Sequence, residues 1–194
     1  MRAETERLVL RDWTDADIAP FLRHTNTPAV MRWLGGVMDE ETCRSLLAKL
    51  RGWSESHGHT FWLVERKNDD GHLSGEVLGF CGLKRVDLAG GPVGDFEIGW
   101  RLREDAWGHG YAREAANESL RLAFEHHDAP HVVALTVIEN TASWGLMERL
   151  GMERRAELDI AMPPDNRFDA ETIIVYSLSR GQWGTSQTCR TIME

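Results

Sequence analysis

The stretch Trp107-Gly108-His109-Gly110-Tyr111-Ala112-Arg113 constrains this chain more than any other. It follows a strand-like run, Asp95-Phe96-Glu97-Ile98-Gly99-Trp100-Arg101-Leu102, and opens a helix-like run that ends near His127. Glycines let a backbone turn sharply and come close to a ligand. The first N–H groups of the following helix have no intrahelical partner and point at whatever sits there. The helix dipole adds about half a positive charge at that end. A glycine-spaced turn between a strand and a helix is therefore a place where phosphates bind. Short glycine pairs also mark plain turns, and it is the context on both sides that favours the phosphate reading.

The helix behind the turn is clearly patterned. Ala112, Ala115, Ala116, Ser119, Leu120, Ala123 and Phe124 recur at helical spacing, with Arg113, Glu114, Asn117, Glu118, Arg121 and Glu125 on the other face. The first inward turns carry small residues, so this helix end can lie close against a sheet. Around it, Arg7–Trp13 reads as a first strand. Thr14 begins a helix through about His24, with Asp17 as the acidic partner of a capping box. Pro28–Leu34 is a short helix or turn, and Asp39 caps a helix in which Cys43, Leu46, Leu47 and Leu50 face inward. Thr60–Arg66 and Gly75–Leu83 form a hairpin, and Asp95–Arg103 is the central strand. Val132–Ile138 is a strand, Thr141–Leu150 a helix stopped by Gly151, Met152–Leu158 a strand and Glu171–Ser179 the last strand. The long helix then crosses between two neighbouring strands, which suits a parallel pair.

Composition bounds the function classes. A chain of 194 residues, 42% of them hydrophobic, suggests one domain with a real core. We expect a single domain over residues 1–180 and a polar tail over 181–194. Nothing in the chain resembles a membrane-spanning run or a signal peptide. Cys43, Cys81 and Cys189 form no Cys-x-x-Cys pair, which fits a reducing, cytoplasmic setting. A net charge of −9 argues against nonspecific nucleic-acid binding; it suits a cationic substrate, and equally plain solubility. His57-x-His59 and His126-His127 with His131 lack the Cys or carboxylate partners that a metal site needs, so no metal is expected.

Two nucleotide-binding readings of the glycine turn fail. A dinucleotide fingerprint needs a third glycine where Arg113 stands, and a P-loop needs Gly-Lys-Ser/Thr, which is absent. Gly108, Gly110 and Ala112 instead resemble the acyl-coenzyme A loop of the GNAT N-acyltransferases, Gln/Arg-Gly-x-Gly-x-Gly/Ala. Trp107 stands where that loop usually has Gln or Arg, as in the branch that contains the ribosomal-protein N-terminal acetyltransferases. Thr5-Glu6-Arg7-Leu8-Val9-Leu10-Arg11 resembles that branch's first strand, and Thr14-Asp15-Ala16-Asp17 the start of its first helix. Glu139-Asn140-Thr141-Ala142-Ser143-Trp144, followed by Glu148-Arg149-Leu150-Gly151-Met152, resembles its second coenzyme A segment. The resemblance covers nearly the whole chain.

That resemblance implies an α/β (α+β) GNAT fold: a central mixed, mostly antiparallel sheet with a splayed parallel strand pair, flanked by helices. It implies acetyl-coenzyme A as cosubstrate, bound by Trp100, Arg101, Leu102, Trp107, Gly108, His109, Gly110, Tyr111, Ala112, Arg113, Asn140 and Ser143. Glycine inside a strand often marks a bulge or a close approach, so Gly99 is either the family's bulge or a packing glycine. Glu97 is the candidate base, acting through water and touching the acceptor; its alternatives are a sheet-edge charge or a partner for Arg101. Many GNAT enzymes place a tyrosine on the second helix, but the tyrosines here are Tyr111 and Tyr176, and Ser143 offers the polar group near the leaving sulfur. Asn140 reads as a pantetheine contact, a helix N-cap, or both. Trp33 follows the helices that wall the acceptor site in this branch and is a candidate substrate contact.

The expected reaction moves an acetyl group from acetyl-coenzyme A to a primary amine by direct attack. The acceptor is a protein N-terminal α-amine or a small-molecule amine. The rivals are a noncatalytic acyl-coenzyme A binding or sensing module and an enzyme using another donor such as succinyl-coenzyme A. A homodimer is left open.

Overall fold

The computed structural model describes residues 2–185. The chain is mixed α/β, with mostly antiparallel strands and one parallel pair. It divides into two compact units, Met1–Lys84 with Gly99–Ser119 and Arg85–Ile98 with Leu120–Glu194.

In the first unit, β1 (Arg2–Glu4) and β2 (Leu8–Arg11) form an antiparallel hairpin. Helices α1 (Ile18–Thr25), α2 (Pro28–Met31) and α3 (Glu40–His57) follow. Next come β3 (Phe61–Arg66) and β4 (Val77–Arg85), which form the expected hairpin, and then β5 (Phe96–Leu102). The strand order is β1-β2-β3-β4-β5. Helix α4 (Tyr111–Arg121) begins directly after the glycine turn.

The helix starts are written locally. Thr14 and Asp17 form the capping box, here closing a single 3-10 turn ahead of α1. The Thr27 hydroxyl accepts from the Val30 N–H, with Pro28 at the first helical position. Asp39 accepts from the Thr42 N–H at the start of α3. The helices cover an aromatic core. Phe61 and Phe80 stack with centroids 5.0 Å apart, Trp13 meets Phe21 edge-on at 4.9 Å, and Leu47 and Leu50 fill in from α3.

Gly99 belongs to this packing. A Cβ built there would stand 2.8 Å from Phe61 Cζ. The residue is small because an aromatic ring lies against the strand, which is the packing reading of this glycine.

In the second unit, Phe96 and Glu97 of β5 pair in parallel with Val132 and Val133 of β6 (His131–Val137). Helix α5 (Thr141–Arg149) follows. Strands β7 (Glu153–Arg154) and β8 (Ile160–Ala161) both pair with β9 (Thr172–Ser179), which pairs with β6 along its length. Val86, Val133 and Val175 centre a core with Leu88, Leu135 and Leu158.

Four expectations need correction. No strand was expected at Arg2–Glu4; it forms because its three residues register onto Val9–Arg11. The strand expected over Met152–Leu158 is only two residues long and is followed by a 3-10 turn over Ala156–Leu158. Glu153, Arg154 and Arg155 carry no alternating apolar face, and after the Arg155 N–H bonds the Val175 carbonyl the Val175 N–H turns to Asp159 Oδ1. The long helix is α only to Arg121 and widens to a π turn over Leu122–His126.

The polar tail expected from 181 begins instead as helix over 180–185. The signal lies in Ser179-Arg180-Gly181-Gln182. The Ser179 N–H donates to Gln182 Oε1, and the Gln182 N–H donates to Ser179 Oγ, a reciprocal capping box. Trp183 is then buried and stacks on Phe124 with centroids 5.6 Å apart. The rest of the expected tail, 186–194, lies outside the described residues.

Two substitutions test this packing. Gly99→Ala forces its new methyl against the Phe61 ring and should cost about 1–3 kcal/mol. In urea unfolding, Phe61→Leu should offset part of that loss in the double variant, because the two sites share one space. Asp17 accepts from the Arg11 guanidinium at 2.7 and 2.8 Å and from the Thr14 N–H at 2.7 Å. Burial alone would raise its carboxyl, but these donors hold it below the usual carboxylate value. A depressed carboxyl stabilises the fold above its unfolded-state value, and the effect is lost as pH falls through the folded one. Asp17→Asn should therefore cost about 1.5–3 kcal/mol at neutral pH. That difference should shrink steadily below about pH 4, read from melting midpoints against pH.

Candidate active site

The predicted loop lies in the first unit. After β5, a 3-10 turn over Glu104–Ala106 leads into Trp107 and the glycine pair. Gly108 has φ +78° and Gly110 φ +81°, the left-handed region that L side chains rarely adopt. These two glycines are required by the backbone. A Cβ at Gly110 would come within 3.4 Å of the Arg7 guanidinium. The Glu114 N–H closes the first helical bond onto the Gly110 carbonyl, so the helix begins at the turn itself.

The turn is braced from the N-terminal hairpin. Glu114, in the first turn of α4, accepts from the Thr5 hydroxyl, from the Arg7 N–H at 2.8 Å and from Arg7 Nε at 2.7 Å. Burial would raise its carboxyl, but these donors hold it low. Arg7 Nη1 donates to the His109 carbonyl at 3.1 Å, and the guanidinium lies 4.6 Å from the Tyr111 ring centroid. His72 stacks on His109 at 3.8 Å, and its carbonyl accepts from the Tyr111 hydroxyl. Arg7, His72 and Glu114 were not foreseen as site residues. Glu114 stands four residues after Gly110 and could have been found from that spacing, whereas Arg7 and His72 come from other parts of the chain that no local spacing links to the turn.

The other loop residues divide by burial. Tyr111 is buried, so the helix start offers its backbone rather than its ring. Ala112 is half-buried, while His109 and Arg113 are exposed. Trp107 is half-exposed and donates through Nε1 to the Leu102 carbonyl at 3.0 Å, which folds it back along the strand end. In β5, Trp100 is half-buried and Leu102 is buried.

Arg101 is also buried. Its Nη1 meets Met31 Sδ at 2.9 Å, and desolvation pushes the guanidinium down to about 10. Trp33, just after α2, is half-buried under the Arg32 guanidinium at 4.5 Å. A surface cavity of about 450 Å³, lined by Arg23, His24, Thr27, Glu104 and Asp105, holds none of the predicted site residues.

The second unit carries Glu97, Asn140 and Ser143. Glu97 is half-buried between buried Phe96 and Ile98, so the alternation puts it on the opposite strand face, as expected. The Asn140 side chain does not cap α5; its Nδ2 donates to Thr136 Oγ1 at 3.1 Å. The Asn140 carbonyl accepts from the Ser143 N–H instead. Ser143 is half-buried in the first turn of α5.

Among the described residues no group of three or more His, Cys, Asp or Glu side chains can hold a metal ion. Cys81 is buried in β4 with its thiol pushed up to about 12 by desolvation, an unreactive setting.

The comparisons with known proteins agree with this fold. The model of the acetyltransferase (GNAT) domain matches residues 7–153. Bacillus subtilis (strain 168) YkkB is 32% identical over 149 residues, covering 76% of this chain and 83% of that protein. YnaD of the same strain, described as an N-acetyltransferase, is 24% identical over 94% of this chain and 99% of that protein. A solved acetyltransferase from Agrobacterium tumefaciens str. C58 superposes with TM-score 0.74 at 25% identity, covering 92% of this chain and 94% of that one. The chain belongs to the GNAT acetyltransferase family and is a transferase enzyme.

Proposed function

We propose that this enzyme moves an acetyl group from acetyl-coenzyme A to a primary amine by direct attack. The observation that carries the reading is the pair of left-handed glycines, Gly108 and Gly110, at the start of α4. Such a turn suits a pyrophosphate, because backbone N–H groups and the helix dipole converge there with no side chain in the way. Arg7 is held beside the turn by Glu114 and by the His109 carbonyl, its charge answered by that carboxylate. When bound, acetyl-coenzyme A supplies an activated acyl group whose thiol leaves with a modest proton demand, since thiols titrate near ~8.5.

The chain has three tasks. An ammonium has no lone pair, so the amine must be neutral as it attacks. Glu97 takes its proton through water, on the strand face opposite Phe96 and Ile98. Backbone N–H groups of Trp100–Leu102 steady the oxygen that becomes negative. Ser143 hydrogen-bonds the departing sulfur, and Asn140 holds the arm that carries it. An α-amine (pKa near ~8) needs less help from a base than a lysine (near ~10.4). The acceptor is accordingly a protein N-terminus or a small amine, drawn by the chain's net charge of −9. Buried, free Cys43 and Cys81 fit a cytoplasmic setting.

The direct test is release of free thiol from acetyl-coenzyme A across a panel of peptide N-termini and small amines. Acetylation of any of them supports the reading, whereas binding without turnover on every amine would leave only a binding module. Gly110→Asp should raise the Kd for coenzyme A at least about tenfold by calorimetry, about 1.4 kcal/mol. Gly110→Ala, which strains the same backbone without the charge, should weaken binding less. Glu97→Gln should lower kcat by about 100-fold. It should also flatten the acid limb of the pH–rate profile, leaving only the rise that follows deprotonation of the amine; an unaltered profile removes Glu97 from the mechanism.

A further inference from the structure

The acetyl transfer just described uses the backbone around Arg101 and leaves its side chain without a task. That side chain is 5% exposed. Its guanidinium carbon lies 4.8 Å from the Phe21 ring centroid and 4.9 Å from that of Phe80. Nη1 points at the Met31 thioether, a weak acceptor. Nε and Nη2 are buried with no hydrogen-bond partner among the described residues.

A buried guanidinium is normally answered by a carboxylate, because an unpaired charge in the core is costly and an apolar residue of similar size usually serves stability as well. The two ring faces answer part of the charge and leave the N–H donors of one edge unmet. Nε and Nη2 form one edge of the planar guanidinium, and two parallel N–H donors on one edge match the two oxygens of a carboxylate.

The surroundings point the same way. Phe21 lies on α1 and Met31 ends α2, so the guanidinium is held between the two helices and the β4 ring of Phe80. Met31 is unbranched, and its thioether occupies Nη1, outside the Nε–Nη2 edge. It is followed by an exposed segment that includes Leu34 and Val37.

We propose that the Nε–Nη2 edge of Arg101 binds a carboxylate of the substrate, carried either by the acceptor amine, as in an amino acid, or by the acyl chain, as in a dicarboxylic acyl-coenzyme A. The proposal rests on the acyl-transfer reading and adds to it the charge class of what is joined.

The experiment compares kcat/KM for wild type, Arg101→Met and Arg101→Lys in two arms. One arm sets L-amino acids against their decarboxylated amines with acetyl-coenzyme A. The other sets succinyl- against butyryl-coenzyme A with a neutral primary amine. The wild type should prefer the carboxylate form by at least about tenfold in one arm, which identifies the source. Arg101→Met should bring that ratio within about threefold of unity, with Arg101→Lys between, since lysine keeps the charge and loses the two-pronged edge. No preference in either arm, or a preference that survives Arg101→Met, overturns the proposal. Should Arg101→Met not fold by circular dichroism, the drop in ratio in Arg101→Lys decides. Should no pair turn over, the acyl-transfer reading fails by itself, and thermal shifts with the same probes decide the carboxylate site. Stabilisation by the carboxylate form alone, lost in the variants, supports it, and equal shifts overturn it.

Discussion

The Glu114 carboxylate organises the glycine turn and the start of α4. It sits one turn into α4 and takes hydrogen bonds from Thr5 and from both the backbone and the guanidinium of Arg7. A carboxylate near a helix N-terminus is favoured by the dipole, and charge-assisted hydrogen bonds are the stronger kind. One side chain thereby fixes the N-terminal hairpin, the start of the helix and a cation beside the glycine turn. Arg7 and Glu114 are far apart in sequence, so the turn depends on a long-range contact although its glycines stand only two positions apart.

Arg101 shows the opposite arrangement. Glu114 has donors on both carboxylate oxygens, whereas Arg101 has aromatic faces and a thioether where an anion belongs. Both are charged groups withdrawn from water. The first is satisfied within the fold and serves structure. The second is satisfied only in part, and buried groups perturbed by desolvation cluster at functional sites.

Much of the fold was legible in the sequence. The α3 cap at Asp39, the Thr14–Asp17 box, the β3–β4 hairpin and the strand–turn–helix passage through Gly108 and Gly110 all form. Each is specified by residues within a few positions of one another. The Met152–Leu158 segment did not form a full strand, because three consecutive charged residues give it no face to bury. The helix after Ser179 was missed although its capping box stands in the sequence, because the polar composition masked the single tryptophan that anchors it on Phe124.

By itself the sequence determined which backbone conformations were required and in what order. Glycines at left-handed positions, capping side chains and apolar periodicity act locally and need no partner from elsewhere. The tertiary structure decided which side chains stand beside those local features. Arg7 and His72 reach the glycine turn, Phe61 explains why residue 99 is glycine, and Asn140 turns from its own helix to Thr136. It also decided that Arg101 is buried with no anion beside it among the described residues. Burial and hydrogen-bond satisfaction are properties of the packed chain, where desolvation sets the cost of a charge and geometry sets whether a partner can reach it.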